Sequence, residues 1–154
     1  MVRLTDLHPE DRANLTGKRL PRFDPPAYVP APPLARSRVA LVTTAGLHVR
    51  DDRLFDMASI EYRAIARETP SRDLVMSHTS VNFDRSGFAE DVNVVFPIDR
   101  FRELQASGAI GSMADVHYSF MGAYLEPADY APSARELAGL LRGDGVDSVF
   151  LTPV

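Results

Sequence analysis

The chain has 154 residues and a mass of 17.0 kDa; 45% of the residues are hydrophobic and 25% charged. That composition is ordinary for one globular domain with a real core, and it leaves little room for two. Seventeen basic against 21 acidic residues give a formal charge of -4, which disfavours a general binder of nucleic-acid backbones. No apolar run approaches the roughly 18 residues of a membrane span. The N-terminal MVRLTDLHPEDR lacks the apolar core of a signal peptide, so the cytoplasm is the expected location. No cysteine is present, which removes disulfides, cysteine-ligated metal clusters and any thiol nucleophile carried by these residues.

Residues 1–36 are expected to form an extended arm. Half of the 12 prolines fall between Pro21 and Pro33. Each fixes φ and removes an amide donor, so this stretch suits neither an interior strand nor a helix. Pro25–Pro26 and Pro32–Pro33 read as polyproline-like segments. Phe23 and Tyr28 suit an arm that packs onto something better than a flexible linker. The compact domain is expected over 37–154. Arg38 to Thr44 is a β-branched apolar run closed by Ala45-Gly46, which predicts a strand buried on both faces. An irregular loop and a strand near Tyr62 to Ala66 follow, then a short strand from Leu74 to Ser77. Val92 to Phe96 reads as another strand. Pro97 can open a helix carrying Ile98, Phe101 and Leu104, with Gly108 as its stop. Ala114 to Tyr118 is a weaker strand. Pro132 starts a helix with Leu137, Leu140 and Leu141 on one side, closed by Gly143 and Gly145. Ser148 to Thr152 is a final strand. Short strands alternating with helices predict an α/β fold: an open, mostly parallel sheet with flanking helices, preceded by the Pro-rich arm.

In such sheets chemistry collects beyond the carboxyl ends of the strands. Four clusters lie there. Thr43-Thr44-Ala45-Gly46 lets backbone amides approach an anion, or is a simple turn. Ser77-His78 with Asp84 and Ser86 is either a histidine–carboxylate pair that orients a substrate or a polar loop with local turns. Asp91 precedes the run Val92 to Phe96 and Asn93 lies within it, on one face if the run is a strand; they are structural brackets or site residues, and brackets are the first reading. His117 and Ser119 share a strand face, but no GxSxG elbow supports a hydrolase. A metal shared by His78, His117, Asp84 and Asp91 has no diagnostic spacing, so none is expected. The candidates for lining a substrate pocket are His78, Asp84, His117, Ser119, Thr43, Thr44 and Thr152.

The segments VALVTTAGLHVRDD, EYRAIAR, LVMSHTSVNFDRSGFAEDVNVVFPIDRFRELQASGAIG, HYSFMG and DGVDSVFLTPV together resemble a known family. It is the selenoprotein B component of glycine, sarcosine and betaine reductases, with the related selenoprotein subunit of D-proline reductase. The likeness runs from about residue 37 to 154, and the DVNVVFPIDRFREL block is its most specific part. In that family the strand written here as VDSVFLTPV is followed directly by the catalytic selenocysteine, or by cysteine. The resemblance therefore implies a nucleophile immediately after Val154 and a polypeptide ended at a UGA codon read as a stop. Translating the gene through that codon tests this.

The chemistry implied is attack by a selenolate or thiolate on an activated carbon of a small amine, with reductive C–N cleavage. The resemblance also implies a companion reductase subunit, in which a pyruvoyl group can hold the amine, and a thiol or selenol redox partner. The 154 residues alone are then expected to be inactive. Self-association is open to an incomplete sheet. The alternative is a non-enzymatic α/β module that binds a small ligand or serves assembly.

Overall fold

A computed structural model describes residues 3–18, 20, 22, 28–81 and 83–154. Helix α1 spans Pro9–Gly17, followed by strands β1 (Arg38–Thr43), β2 (Leu47–Val49), β3 (Arg63–Ala66) and β4 (Leu74–Met76). Helices α2 (Ser86–Glu90) and α3 (Ile98–Ala106) come next, then strands β5 (Ser112–Met113) and β6 (Val116–Ser119). Helix α4 (Ala131–Gly143) and strand β7 (Ser148–Thr152) complete the order.

Strand β1 is the centre of the main sheet. Its whole length pairs in parallel with β7, from Val39 opposite Ser148 to Thr43 opposite Thr152. Its start pairs with β5 and its end with β6, both in parallel. A strand has two edges, so β5 and β6 share one of them in succession. β3 then adds antiparallel to β6. The result is the expected open, mostly parallel α/β sheet. β2 and β4 form a separate antiparallel pair, in which Leu47 opposes Met76.

Alternation along β1 explains its central place, because it is apolar on both faces. Val39 and Leu41 join Phe96, Ile98, Phe101 and Met113 on one side. Val42 packs with Tyr118, Phe120, Leu137 and Leu141 on the other. Each face is thus covered by one long helix, α3 or α4. The helix starts follow local chemistry. Pro97 precedes α3, and the Asn93 Oδ1 accepts the Asp99 amide at 3.0 Å. Pro132 occupies the first turn of α4, where its missing amide costs nothing. On β7, Phe150 packs against Phe101 with ring centroids 5.1 Å apart. Val149, Phe150 and Leu151 keep exposed surface, and among the described residues β7 pairs only with β1. No helix of the described residues is long and apolar enough to cross a membrane.

Two expectations fail. Val92 to Phe96 is not a strand; Val92–Val94 forms a 3-10 turn, and Val95 and Phe96 are buried from an irregular segment. The Asp91 carboxylate accepts the Asn93 amide at 2.9 Å, and the Asn93 side chain reaches the Asp99 carboxylate at 3.1 Å. Those bonds offer the backbone an alternative to a ladder, and the apolar run alone could not reveal it. Asp91 and Asn93 are therefore brackets of the turn and of the start of α3. The arm is not extended throughout either. Pro9 opens α1, with Glu10 and Asp11 favourably placed in its first turn. Phe23 and Pro25–Pro26 lie outside the described residues. Tyr28 is 88% exposed.

The loop from Asp52 to Tyr62 is held by one buried arginine. Arg63 donates to the carbonyls of Arg53 at 2.9 Å and Leu54 at 3.2 Å, with its guanidinium over the Phe55 ring. Replacing Arg63 by Met removes these hydrogen bonds and the cation–π contact from a buried side chain and is expected to cost about 2 kcal/mol. Urea unfolding of the variant measures it.

Candidate functional site at the carboxyl rim of the sheet

β1, β6 and β7 run in parallel and end side by side, so their last residues build one rim. The Phe120 amide donates to Thr43 O at 2.8 Å, and the Thr44 amide to Thr152 O at 3.2 Å. The Thr43 hydroxyl donates to Val95 O at 2.9 Å and accepts the Ala45 amide at 3.1 Å. The Val154 amide donates to the Thr44 Oγ1 at 3.0 Å. Thr44 thus clasps the backbone that follows β7.

Beside this clasp lies a largely apolar cleft of about 420 Å³, lined by Lys18, Thr44, Phe120, Gly122, Leu125 and Tyr130, among others. Gly122 adopts φ 73°, and its hydrogen faces Thr44 so closely that a methyl group there would overlap the Thr44 Cβ. The backbone is therefore allowed to turn tightly across the rim. Phe120 and Tyr130 meet edge to face at 5.9 Å. The Tyr130 hydroxyl is buried and has no hydrogen-bond partner of normal geometry. Burial pushes its pKa up, and the nearby Gly122 amide offsets part of that push.

The residues expected from sequence divide into four groups. Thr44 lines the cleft. Thr43, Ser119 and Thr152 lie beneath the rim and tie it together: the Ser119 Oγ accepts the Leu47 amide at 2.8 Å. Ser119 is fully buried, so it braces the turn that leads into β2.

His78 adjoins the rim without lining the cleft. Its backbone sits 3.0 Å from where a Gly46 side chain would begin. Its Nδ1 accepts the Ser80 amide at 3.2 Å, which places the proton on Nε2, and that atom is buried without a partner. Burial, aided by Arg85, lowers its pKa. The next residue links this loop to the rim, because the Tyr124 hydroxyl donates to Thr79 O at 3.0 Å.

His117 and Asp84 stand apart. His117 is fully buried on the α3 face, edge-on to Phe96. Its Nδ1 accepts the Leu41 amide at 3.1 Å, where β1 has left β5 and not yet met β6. A side chain here replaces a missing rung of the ladder. Asp84 is exposed, and its carboxylate accepts the Ser86 amide at 2.9 Å at the start of α2. That bond holds its pKa below the ordinary carboxylate value.

Sequence reasoning missed Lys18, Gly122 and Tyr130. Lys18 is the single lysine among 17 basic residues, and that singularity was the available signal.

A family model described as glycine/sarcosine/betaine reductase selenoprotein B matches residues 11–154. Among curated proteins, the chain is 33% identical over 136 residues to the D-proline reductase subunit gamma of Acetoanaerobium sticklandii. That match covers 86% of this chain and 55% of the relative. It is 28% identical to the glycine reductase complex component B subunit gamma of Carboxydothermus hydrogenoformans, over 82% of this chain and 32% of the relative. It is 30% identical to the betaine reductase complex component B subunit beta of Peptoclostridium acidaminophilum, over 80% of this chain and 29% of the relative. The chain therefore spans between about a third and about half of the length of these relatives. No solved structure matches it.

Proposed function

Because this chain belongs to the glycine/sarcosine/betaine reductase selenoprotein B family, we propose that it is part of a subunit of a multi-subunit reductase that cleaves a C–N bond of a small amine. Glycine, betaine, sarcosine and proline are the candidate substrates. The observation that carries this reading is the clasp of Val154 by Thr44 at the mouth of an apolar cleft. Residues joined to Val154 would emerge beside that cleft. Since the 154 residues contain no cysteine, the selenol or thiol comes from outside them.

The chemistry asked of that group is displacement of the amine at carbon, forming a carbon–chalcogen bond as the carbon–nitrogen bond breaks, with a second thiol or selenol partner supplying the reducing electrons. The roles of this chain's own residues follow from their places. Phe120, Leu125 and Tyr130 keep water from the cleft. Thr44 holds the backbone after β7 in one position, and Thr43 ties that backbone to β1. A companion subunit, with a pyruvoyl group for the amine, completes the complex in this reading.

The test compares two polypeptides in the presence of the companion subunits and a dithiol. The 154-residue chain is expected to cleave the C–N bond of none of the four substrates. A polypeptide extended through a selenocysteine or cysteine is expected to cleave it, releasing free amine from glycine, sarcosine or betaine and opening the ring of proline, and to stop when that residue becomes serine. Turnover by the 154 residues, or turnover that survives the serine replacement, contradicts the proposal. Ligand binding with no turnover by the extended form supports a binding or assembly module instead.

A further inference from the structure

The edge of β7 away from β1 has no partner strand among the described residues. The Thr152 carbonyl accepts the Thr44 amide, and alternation then turns Phe150 and Ser148 toward β1 as well. The amides and carbonyls of Val149 and Leu151 therefore point to the open edge. Proteins blunt such edges with charge or proline, and Ser148 to Thr152 carries neither. Both faces beside the edge are apolar. Phe150, opposite Leu41, lies on the α3 face, where Leu34, Phe101, Leu104 and Ile110 join it around a largely apolar groove of about 300 Å³. Val149 and Leu151, opposite Ala40 and Val42, lie on the α4 face and are 40% and 66% exposed.

We propose that this edge docks a further helix–strand unit of the same subunit, its strand parallel to β7 and its helix over Val149 and Leu151. The unit comes from the part of the relatives' length that this chain does not match, so the proposal rests on the reading of this chain as part of a larger subunit. The handedness of crossovers carries it. β6 and β7 flank β1 in parallel, and the α4 that joins them covers the face of Val42. A next step in the same direction keeps the same hand and so the same face, which puts its helix where Val149 and Leu151 are bare. Its strand would bond the free amides and carbonyls of those two residues, and its alternate side chains would fill the groove beside Phe101. A second copy of the chain fits less well. Two-fold pairing of β7 with itself is antiparallel and brings no helix to Val149 and Leu151. The relatives have the length to supply the unit, since the match takes up 55% of one and 32% of another.

Hydrogen exchange on two polypeptides tests it: the 154-residue chain, and the chain translated through the codon after Val154 with cysteine at that position. The Val149 and Leu151 amides are expected to exchange on the order of 100-fold more slowly in the longer one. Leu151→Asp should shift the melting temperature of the 154-residue chain by no more than about 2 °C, because the side chain is exposed there, and lower that of the longer one by about 10 °C. Equal exchange of the two amides in both polypeptides, equal effects of Leu151→Asp, or protection in the 154-residue chain that grows with its concentration, as a second copy would give, each overturns the proposal. So does a gene with no coding sequence past that codon. Protection of the edge in a longer polypeptide that turns over no substrate removes the reductase reading and leaves this one standing; turnover with fast exchange at both amides does the reverse.

Discussion

Unfolding free energy is expected to fall by about 3 kcal/mol on acidification from pH 6.5 to pH 4 through His117 alone. Burial lowers the His117 pKa from 6.5 to about 4, with smaller contributions from Arg102 and Arg67 in the same direction and an opposing one from Asp144. In the unfolded chain the imidazole takes its proton near pH 6.5; in the folded chain it does so only near pH 4. Between those values the unfolded state binds more protons, so added protons favour unfolding. Above the window both states are neutral and the contribution is complete. Below it both are charged and the loss levels off. His78, lowered in the same direction, adds to the decline. The informative comparison is His117→Asn, whose amide oxygen can accept the Leu41 amide but cannot titrate. Urea unfolding across this range should show a shallower pH dependence in His117→Asn than in the parent. An equal slope would mean that His117 is not the group responsible.

Gly122→Ala is expected to cost about 4 kcal/mol and to disorder the rim. Two terms combine. A residue other than glycine at φ 73° carries strain of about 1 kcal/mol, and the new methyl group overlaps Thr44, an overpacking cost of up to about 3 kcal/mol. Thr44 cannot retreat freely, because its hydroxyl clasps Val154 and its amide bonds Thr152. The damage should therefore spread to β7. Thermal denaturation gives the loss of stability, and amide hydrogen exchange at Thr152 and Val154 gives its location. In a Thr44→Gly background, which lacks the Cβ that the new methyl group meets, Gly122→Ala keeps the backbone strain but loses the overlap, so it should cost less than half of what it costs in the parent. A single variant that melts with the parent would contradict the tight approach of Gly122 to Thr44.

Local signals carried much of the fold. The β-branched run at Arg38 to Thr44 and the run at Ser148 to Thr152 are strands, as read, because each is short, apolar and closed by turn residues. The helices after Pro97 and around Pro132 were equally legible from spacing and stop signals. Val92 to Phe96 was misread, since an apolar run of five residues is buried as well in a bracketed turn as in a strand. α1 went unread because its surface is polar and no apolar stripe marks it.

The site was only half legible. Thr43, Thr44, Ser119 and Thr152 could be placed at strand ends, and parallel pairing does put them together at one rim. Whether a polar side chain there faces a ligand or the protein depends on its neighbours. His117 turned inward to satisfy the Leu41 amide that the broken β5–β6 edge leaves open, and Ser119 to accept the Leu47 amide at the start of β2.

Residue order alone was enough to assign the α/β class, the family likeness and the lack of a thiol, because periodicity, turn chemistry and composition are local or additive properties. The cleft was beyond its reach. Thr44 and Val154 are 110 positions apart, and Lys18 arrives from a segment with no part in the core. Contacts of that kind exist only once the strands have paired and the chain has folded back on itself, so it is long-range packing that chooses which groups meet at the rim.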